Sequence, residues 1–158
     1  MSNLATEKYE SVRGIVAKFL NAPNAKQIVL NSGTTEGLNS IAYGWAMPRL
    51  EPGDEIILPT WTMTACSSAI LHWNYIPVFA DIDSNTFNIS PKSIVKKITK
   101  RTKAIMAVHI YGNICNMDEL LAISKEYDIP IIEDSAEAIG SEWNSKKAGS
   151  MGKYGTFS

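Results

Sequence analysis

A short polar stretch, Ser32-Gly33-Thr34-Thr35, stands between an apolar run and a helical stripe. Backbone N–H groups at a helix start, the helix dipole and hydroxyl side chains together can hold a phosphate, so this stretch is a candidate anion site. It is neither a Walker A loop nor a G-x-G-x-x-G dinucleotide turn, and a plain N-cap with a turn glycine is the alternative. Asp134 follows the apolar run Pro130-Ile131-Ile132. A carboxylate that ends a buried strand needs a cationic or hydrogen-bonding partner. A pyridinium nitrogen is one such partner, and a capping or turn role is the other reading. His109, just after another apolar run, either lines a site or is held by hydrogen bonds as a structural histidine. Trp61 either stacks on a flat ligand or serves as an aromatic anchor.

Other residues carry less chemistry. Asp81-Ile82-Asp83-Ser84-Asn85 looks like the opening of a calcium loop, but Thr86 stands where glycine is needed and Lys92 where glutamate is needed, so a side-chain-stabilised turn is expected. His72 falls near the end of a helical stripe and reads as structural. Neither histidine has a serine or cysteine nucleophile motif beside it. Cys66 and Cys115 form no C-x-x-C pair and have no histidine at zinc spacing, so both read as core thiols.

The elements that must position these residues follow from periodicity. Val12, Ile15, Val16, Phe19 and Leu20 form a helical stripe, ended by Asn21-Ala22-Pro23-Asn24. Ile28-Val29-Leu30 reads as a strand, then a tight turn at 31–35, then a helix with its stripe at Leu38, Ile41, Ala42, Trp45 and Ala46. Further strands are expected at 55–58, 76–80, 104–108 and 130–132, with a sixth starting at 155. Helices between them carry Cys66, Ala69, Ile70 and Trp73; Ile94, Val95 and Ile98 after the Ser90-Pro91 cap; and Leu120, Ile123 and Tyr127 after Asn116 with Glu119. Short apolar strands alternating with amphipathic helices predict an α/β fold, a three-layer α/β/α sandwich around a mostly parallel sheet. Ligands of such sheets sit at the carboxyl ends of the strands, which directs attention to 31–35, 59–64, 81–83, 109–113 and 133–137.

Composition narrows the function. The 158 residues are 45% apolar and 20% charged, enough for one globular domain with a real core. Fifteen Lys and Arg balance sixteen Asp and Glu, with no basic cluster, which argues against nucleic acid and anionic membranes as partners. No apolar run approaches the roughly 20 residues of a membrane helix, and the start lacks the order of a signal peptide, so a cytoplasmic setting is expected.

From about residue 55 onward the chain resembles the DegT/DnrJ/EryC1/StrS family of pyridoxal-phosphate-dependent sugar aminotransferases. The resemblance rests on Gly53-Asp54-Glu55-Ile56-Ile57-Leu58-Pro59-Thr60-Trp61-Thr62, Pro77-Val78-Phe79-Ala80-Asp81-Ile82-Asp83, Thr102-Lys103-Ala104-Ile105, Val108-His109-Ile110-Tyr111-Gly112-Asn113 and Glu133-Asp134-Ser135-Ala136-Glu137-Ala138-Ile139-Gly140. Residues 5–45 are more similar to group II cysteine desulfurases, through Arg13, Phe19-Leu20-Asn21-Ala22 and Gly33-Thr34-Thr35-Glu36-Gly37-Leu38-Asn39. Both families share the fold-type-I architecture, and the resemblance implies that residues 1–158 are the amino-terminal part of its large, cofactor-binding domain.

It also implies roles. Ser32, Gly33, Thr34 and Thr35 would cradle the phosphate of pyridoxal 5'-phosphate, with Ser158 as a further contact. Asp134 would pair with the pyridinium nitrogen. Glu137 matches a position near the cofactor's phenolic oxygen. Met63 stands where the family has its ring-stacking aromatic, with Trp61 and His109 as further candidates near the ring. The Schiff-base lysine of the Phe-Ser-Phe-x-x-x-Lys segment would fall beyond Ser158, so no catalytic residue is assigned here and this chain alone is expected not to turn over. The substrates implied are a nucleotide-linked keto-sugar and an amino donor, glutamate or glutamine, in a homodimer. A cysteine desulfurase or selenocysteine lyase is the alternative enzyme, and a short non-catalytic partner-binding protein is the alternative outside enzymes.

Overall fold

The first helix, α1, runs from Asn3 to Phe19 in the computed structural model, which describes residues 3–158. The described chain divides into a unit ending at Asn31 and a unit from Ser32 to Ser158. In the first unit α1 is followed by a single 3-10 turn, Ala25–Gln27, capped by Asn24, whose side chain accepts from the Lys26 N–H. The strand expected at Ile28-Val29-Leu30 does not form. The Arg13 Nε–H donates to the Ile28 carbonyl at 2.9 Å, and Val29 stands exposed. A side chain has taken a carbonyl that a strand would need. The α1 stripe is also less buried than its spacing predicts, since Val12, Ile15 and Phe19 are exposed.

The second unit is an α/β layered domain. Its helices are α2 (Thr34–Ile41), α3 (Thr64–His72), α4 (Pro91–Lys97) and α5 (Met117–Tyr127). The π-helical turn Ala42–Ala46 continues α2 and completes its predicted stripe. The main sheet contains β1 (Glu55–Pro59), β2 (Ile76–Ala80), β3 (Thr102–Val108), β4 (Ile131–Asp134) and β7 (Tyr154–Thr156). A hairpin of β5 (Glu142–Trp143) and β6 (Lys146–Lys147) stands apart from it. The main sheet is ordered β2-β1-β3-β4-β7 and every pair in it is parallel.

Local chemistry sets the helix starts as the sequence predicts. The Ser90 hydroxyl accepts from the Ser93 N–H with Pro91 in the first turn, and Asn116 Oδ1 accepts from the Glu119 N–H while its Nδ2 donates back to the Glu119 carboxylate at 2.6 Å. α5 ends on Asp128 in the left-handed region, with its N–H on the Ser124 carbonyl.

The pleat divides the core into two layers. Ile57, Ile105, Ala107 and Ile131 pack with Ile94, Met117, Leu120 and Ile123, from α4 and α5. Their neighbours in sequence, Ile56, Leu58, Ala104, Met106, Val108 and Ile132, pack with Leu38, Cys66 and Ile70, from α2 and α3. Each fully buried side chain of this kind contributes about 1.5–3 kcal/mol. With both faces covered, ligand groups have the strand ends left to them. The chain steps from β1 outward to β2 and then crosses back to β3, so the strand order reverses between β1 and β3, the place where ligands of such sheets bind outside the carboxyl ends.

Replacing Leu120, which is fully buried, with alanine is expected to cost about 3 kcal/mol, whereas Asn116→Ala removes one cap and costs about 1 kcal/mol. Urea unfolding checks both, and equal shifts in midpoint would show that the α5 face is not the core assigned to it.

Candidate functional site

The carboxyl ends of the strands gather nearly all the residues singled out by type and spacing. At the start of α2, Gly33 has φ +108° and ψ 178°, a conformation open to glycine alone. A Cβ placed there would stand 3.2 Å from the Ser158 hydroxyl oxygen, so the chain end after β7 and the first turn of α2 are brought together. Thr34 is buried, and its hydroxyl has no hydrogen-bond partner among the described residues. Thr35 is exposed on the same turn. A buried hydroxyl without a partner, beside first-turn N–H groups that no helical carbonyl can reach, fits a tetrahedral anion.

Ser32 is engaged differently. Its N–H donates to Glu36 Oε2 at 2.7 Å and its hydroxyl donates to the same oxygen. These two bonds, the hydroxyl's first, hold the Glu36 carboxyl below its ordinary range. The side chain of the third helical residue thus reaches back over the turn, a variant of the capping box.

Asp134 closes β4 and is buried, on the α2/α3 side with Ile132. Its Oδ1 accepts from the Ala136 N–H at 3.1 Å, and its Oδ2 accepts from the Cys66 thiol at 3.2 Å. Thr62 Oγ1 lies 3.4 Å from the same sulfur. Burial, with the Asp134 charge adding to it, pushes the Cys66 thiol up to about 12, so it stays a neutral donor. Cys66 is thus the core residue the sequence predicts and also the group that orients Asp134. Its place in the first turn of α3, at the foot of the site, is the feature that spacing alone did not expose.

Glu137 is exposed and its Oε2 accepts from the Tyr111 N–H at 2.6 Å. Tyr111 adopts φ +54°, an uncommon conformation for an aromatic residue, in the 3-10 turn that follows β3. Trp61 and Met63, after β1, are exposed.

His109 departs from the site. It is fully buried on the opposite face, Nε2 lying 3.0 Å from Glu133 Oε2 and Nδ1 accepting from the Cys115 N–H at 3.2 Å. Both ring nitrogens are committed to the interior, so of the two roles open to it the structure selects the structural one. His72 is exposed, its ring edge-on to Trp73 at 5.2 Å. Asp83 Oδ1 accepts from the N–H groups of Asn85 and Thr86, the turn expected in place of a calcium loop. No helix among the described residues is long and apolar enough to cross a membrane.

A carboxyl held low in the folded state stabilises above its ordinary value of 4.5 and loses that contribution as pH falls through its lowered value. The Glu36→Gln variant is therefore expected to show a flatter loss of thermal stability between about pH 6 and pH 3 than the parent. Identical profiles would mean that Glu36 does not hold Ser32 in solution.

The fold has counterparts among known proteins. The chain is 40% identical over 150 residues to a GDP-perosamine synthase of Vibrio cholerae, a match covering 94% of this chain and 41% of the relative. The aminotransferase TlmJ from Streptoalloteichus hindustanus superposes with a TM-score of 0.86 at 29% identity, over 94% of this chain and 39% of that one. The Escherichia coli GDP-4-keto-6-deoxy-D-mannose-3-dehydratase, solved with bound hydrated PLP, gives a TM-score of 0.84 at 34% identity, over 94% and 39%. The chain thus spans about two fifths of the length of these proteins. Residues 5–158 match the DegT/DnrJ/EryC1/StrS aminotransferase family, so the match takes in residues 5–45, for which a desulfurase likeness is not shown, and the chain belongs to that family.

Proposed function

We propose that this chain is the amino-terminal, cofactor-binding part of the large domain of a pyridoxal-phosphate-dependent aminotransferase acting on a nucleotide-linked keto-sugar. The observation that carries the reading is the presence, at one edge of one sheet, of a buried carboxylate and of a helix-start cradle with a buried hydroxyl left unpartnered. Pyridoxal 5'-phosphate needs both, one for its ring nitrogen and one for its phosphate. The names of the relatives, GDP-perosamine synthase and dTDP-3-amino-3,6-dideoxy-alpha-D-galactopyranose transaminase, support a sugar bound to a nucleotide as the amino acceptor. Glutamate or glutamine is the donor in this reading, and the setting is cytoplasmic.

When bound, the cofactor supplies a ring that accepts electron density as a bond to the amino-bearing carbon breaks. The protein's part is to hold and bias that ring. Asp134 would keep a proton on the ring nitrogen, because a buried carboxylate favours a cation beside it. Cys66 and the Ala136 N–H fix the two oxygens of Asp134, so the carboxylate would meet a ring nitrogen in one orientation. Gly33, Thr34, Thr35 and Ser158 hold the phosphate, and Ser32 joins them only by giving up Glu36. Glu137, steadied by the Tyr111 N–H, would hold the phenolic oxygen. Met63 and Trp61, on the segment after β1, would flank the ring. They and Tyr111 and Ile139 are exposed apolar side chains on segments that follow the strands, which supports a homodimer whose second copy covers them.

The test is a fluorescence titration with pyridoxal 5'-phosphate. Saturable binding is expected, weakened about tenfold or more by Asp134→Ala and by Thr34→Val. Unchanged affinity in both variants would contradict the reading. In the protein carrying this chain, amino transfer from glutamate or glutamine to a GDP- or dTDP-linked keto-sugar is the expected activity, and release of alanine from cysteine would favour the desulfurase alternative.

A further inference from the structure

Glu133, the residue before Asp134, has no part in the cofactor contacts above, yet its carboxylate has four hydrogen-bond partners. It is fully buried. Its Oε2 lies 3.0 Å from His109 Nε2 and accepts from the Gly149 N–H at 2.8 Å; its Oε1 accepts from the Met151 N–H at 2.7 Å and from the Gly152 N–H. Because His109 Nδ1 accepts from the Cys115 N–H, the hydrogen of the neutral ring sits on Nε2 and is donated to Glu133. A buried carboxylate is tolerated only when its oxygens are satisfied, and here four donors satisfy them.

Three of those donors are backbone groups of one turn, 149–152, that leads into β7. The turn lies flat on the sheet. A Cβ on Gly155 would run into the Gly149 carbonyl, one on Gly149 would run into the Phe157 ring, and one on Gly152 would stand 2.7 Å from the Ile131 carbonyl oxygen. The Lys153 N–H then bonds the Ile131 carbonyl, and β7 pairs Gly155 with Glu133 and Thr156 with Asp134. Two residues after Thr156 comes Ser158, whose hydroxyl lies against Gly33.

We infer that Glu133, with His109 behind it, is the positioning residue for the Ser158 side of the phosphate cradle: it pins the 149–152 turn, which sets the course of β7 and so brings Ser158 against Gly33. Asp134 projects to the opposite face, so the ring-nitrogen end is held independently of the turn. This inference rests on the reading that Gly33, Thr34, Thr35 and Ser158 hold a phosphate.

The experiment separates the two ends of the ligand. In the protein carrying this chain, Glu133→Gln places an amide where an acceptor is needed, and Glu133→Asp keeps the charge but shortens its reach. Affinity for pyridoxal 5'-phosphate is expected to fall about tenfold or more in Glu133→Gln and less in Glu133→Asp, while affinity for pyridoxal, which lacks the phosphate, changes less than about threefold. Hydrogen exchange of peptides covering 149–158 is expected to rise in both variants, with β1 and β3 unchanged. Equal losses for the two ligands, or no loss for either, would overturn the inference. So would fast exchange at Gly149, Met151 and Gly152 in the parent, a measurement that needs no variant to fold. Should the parent bind neither ligand while exchange over 149–158 still rises in the variants, the cofactor reading falls and the anchoring by Glu133 stands.

Discussion

Two adjacent carboxylates end β4, and the pleat sends them to opposite faces of a sheet that is covered on both. Glu133 falls with Ile131 on the side of α4 and α5; Asp134 falls with Ile132 on the side of α2 and α3. Neither meets bulk water, so each needs donors, and the surrounding structure is arranged to supply them. On one face a backbone turn and His109 close around Glu133. On the other, Cys66 and the Ala136 N–H hold Asp134 while leaving it at the open end of the sheet. A shift of one residue in β4 would exchange the two faces and undo both arrangements.

That constraint explains what could be read from residues alone. Apolar runs at 55–58, 76–80 and 104–108 are strands because both faces of the sheet are buried, and Ser90 and Asn116 mark helix starts because their side chains satisfy orphan N–H groups. Asp134 was legible for the same reason, as a charge where a buried strand ends. His109 carried two readings because the decision between them depends on strand parity at β3, which puts it on the face of Ala107 and within reach of the Glu133 carboxylate. Ile28-Val29-Leu30 has a strand's composition but loses a carbonyl to Arg13, a contact across fifteen positions that no local pattern records. The β5–β6 hairpin was missed because its turn uses Asn144 and Ser145, both at positive φ, with no glycine to announce it.

The site was legible in its parts and not in its linkages. The polar stretch at 32–35 predicts a phosphate cradle, but the structure adds that Ser32 is held by Glu36, and that the buried, unpartnered hydroxyl belongs to Thr34. Cys66 reads as a core thiol until α3 brings it to Asp134, and Glu133 reads as one residue of a strand until Gly149, Gly152 and Gly155 let a backbone turn lie on it. Family membership adds a chemistry to this arrangement, and the arrangement states which side chains would have to carry it.

The most direct measurement of the central claim is a crystal structure of the protein grown with pyridoxal 5'-phosphate. The account predicts the phosphate at Gly33, Thr34, Thr35 and Ser158, with the ring nitrogen within hydrogen-bonding distance of Asp134. A phosphate held elsewhere, or a ring nitrogen turned away from Asp134, would contradict it.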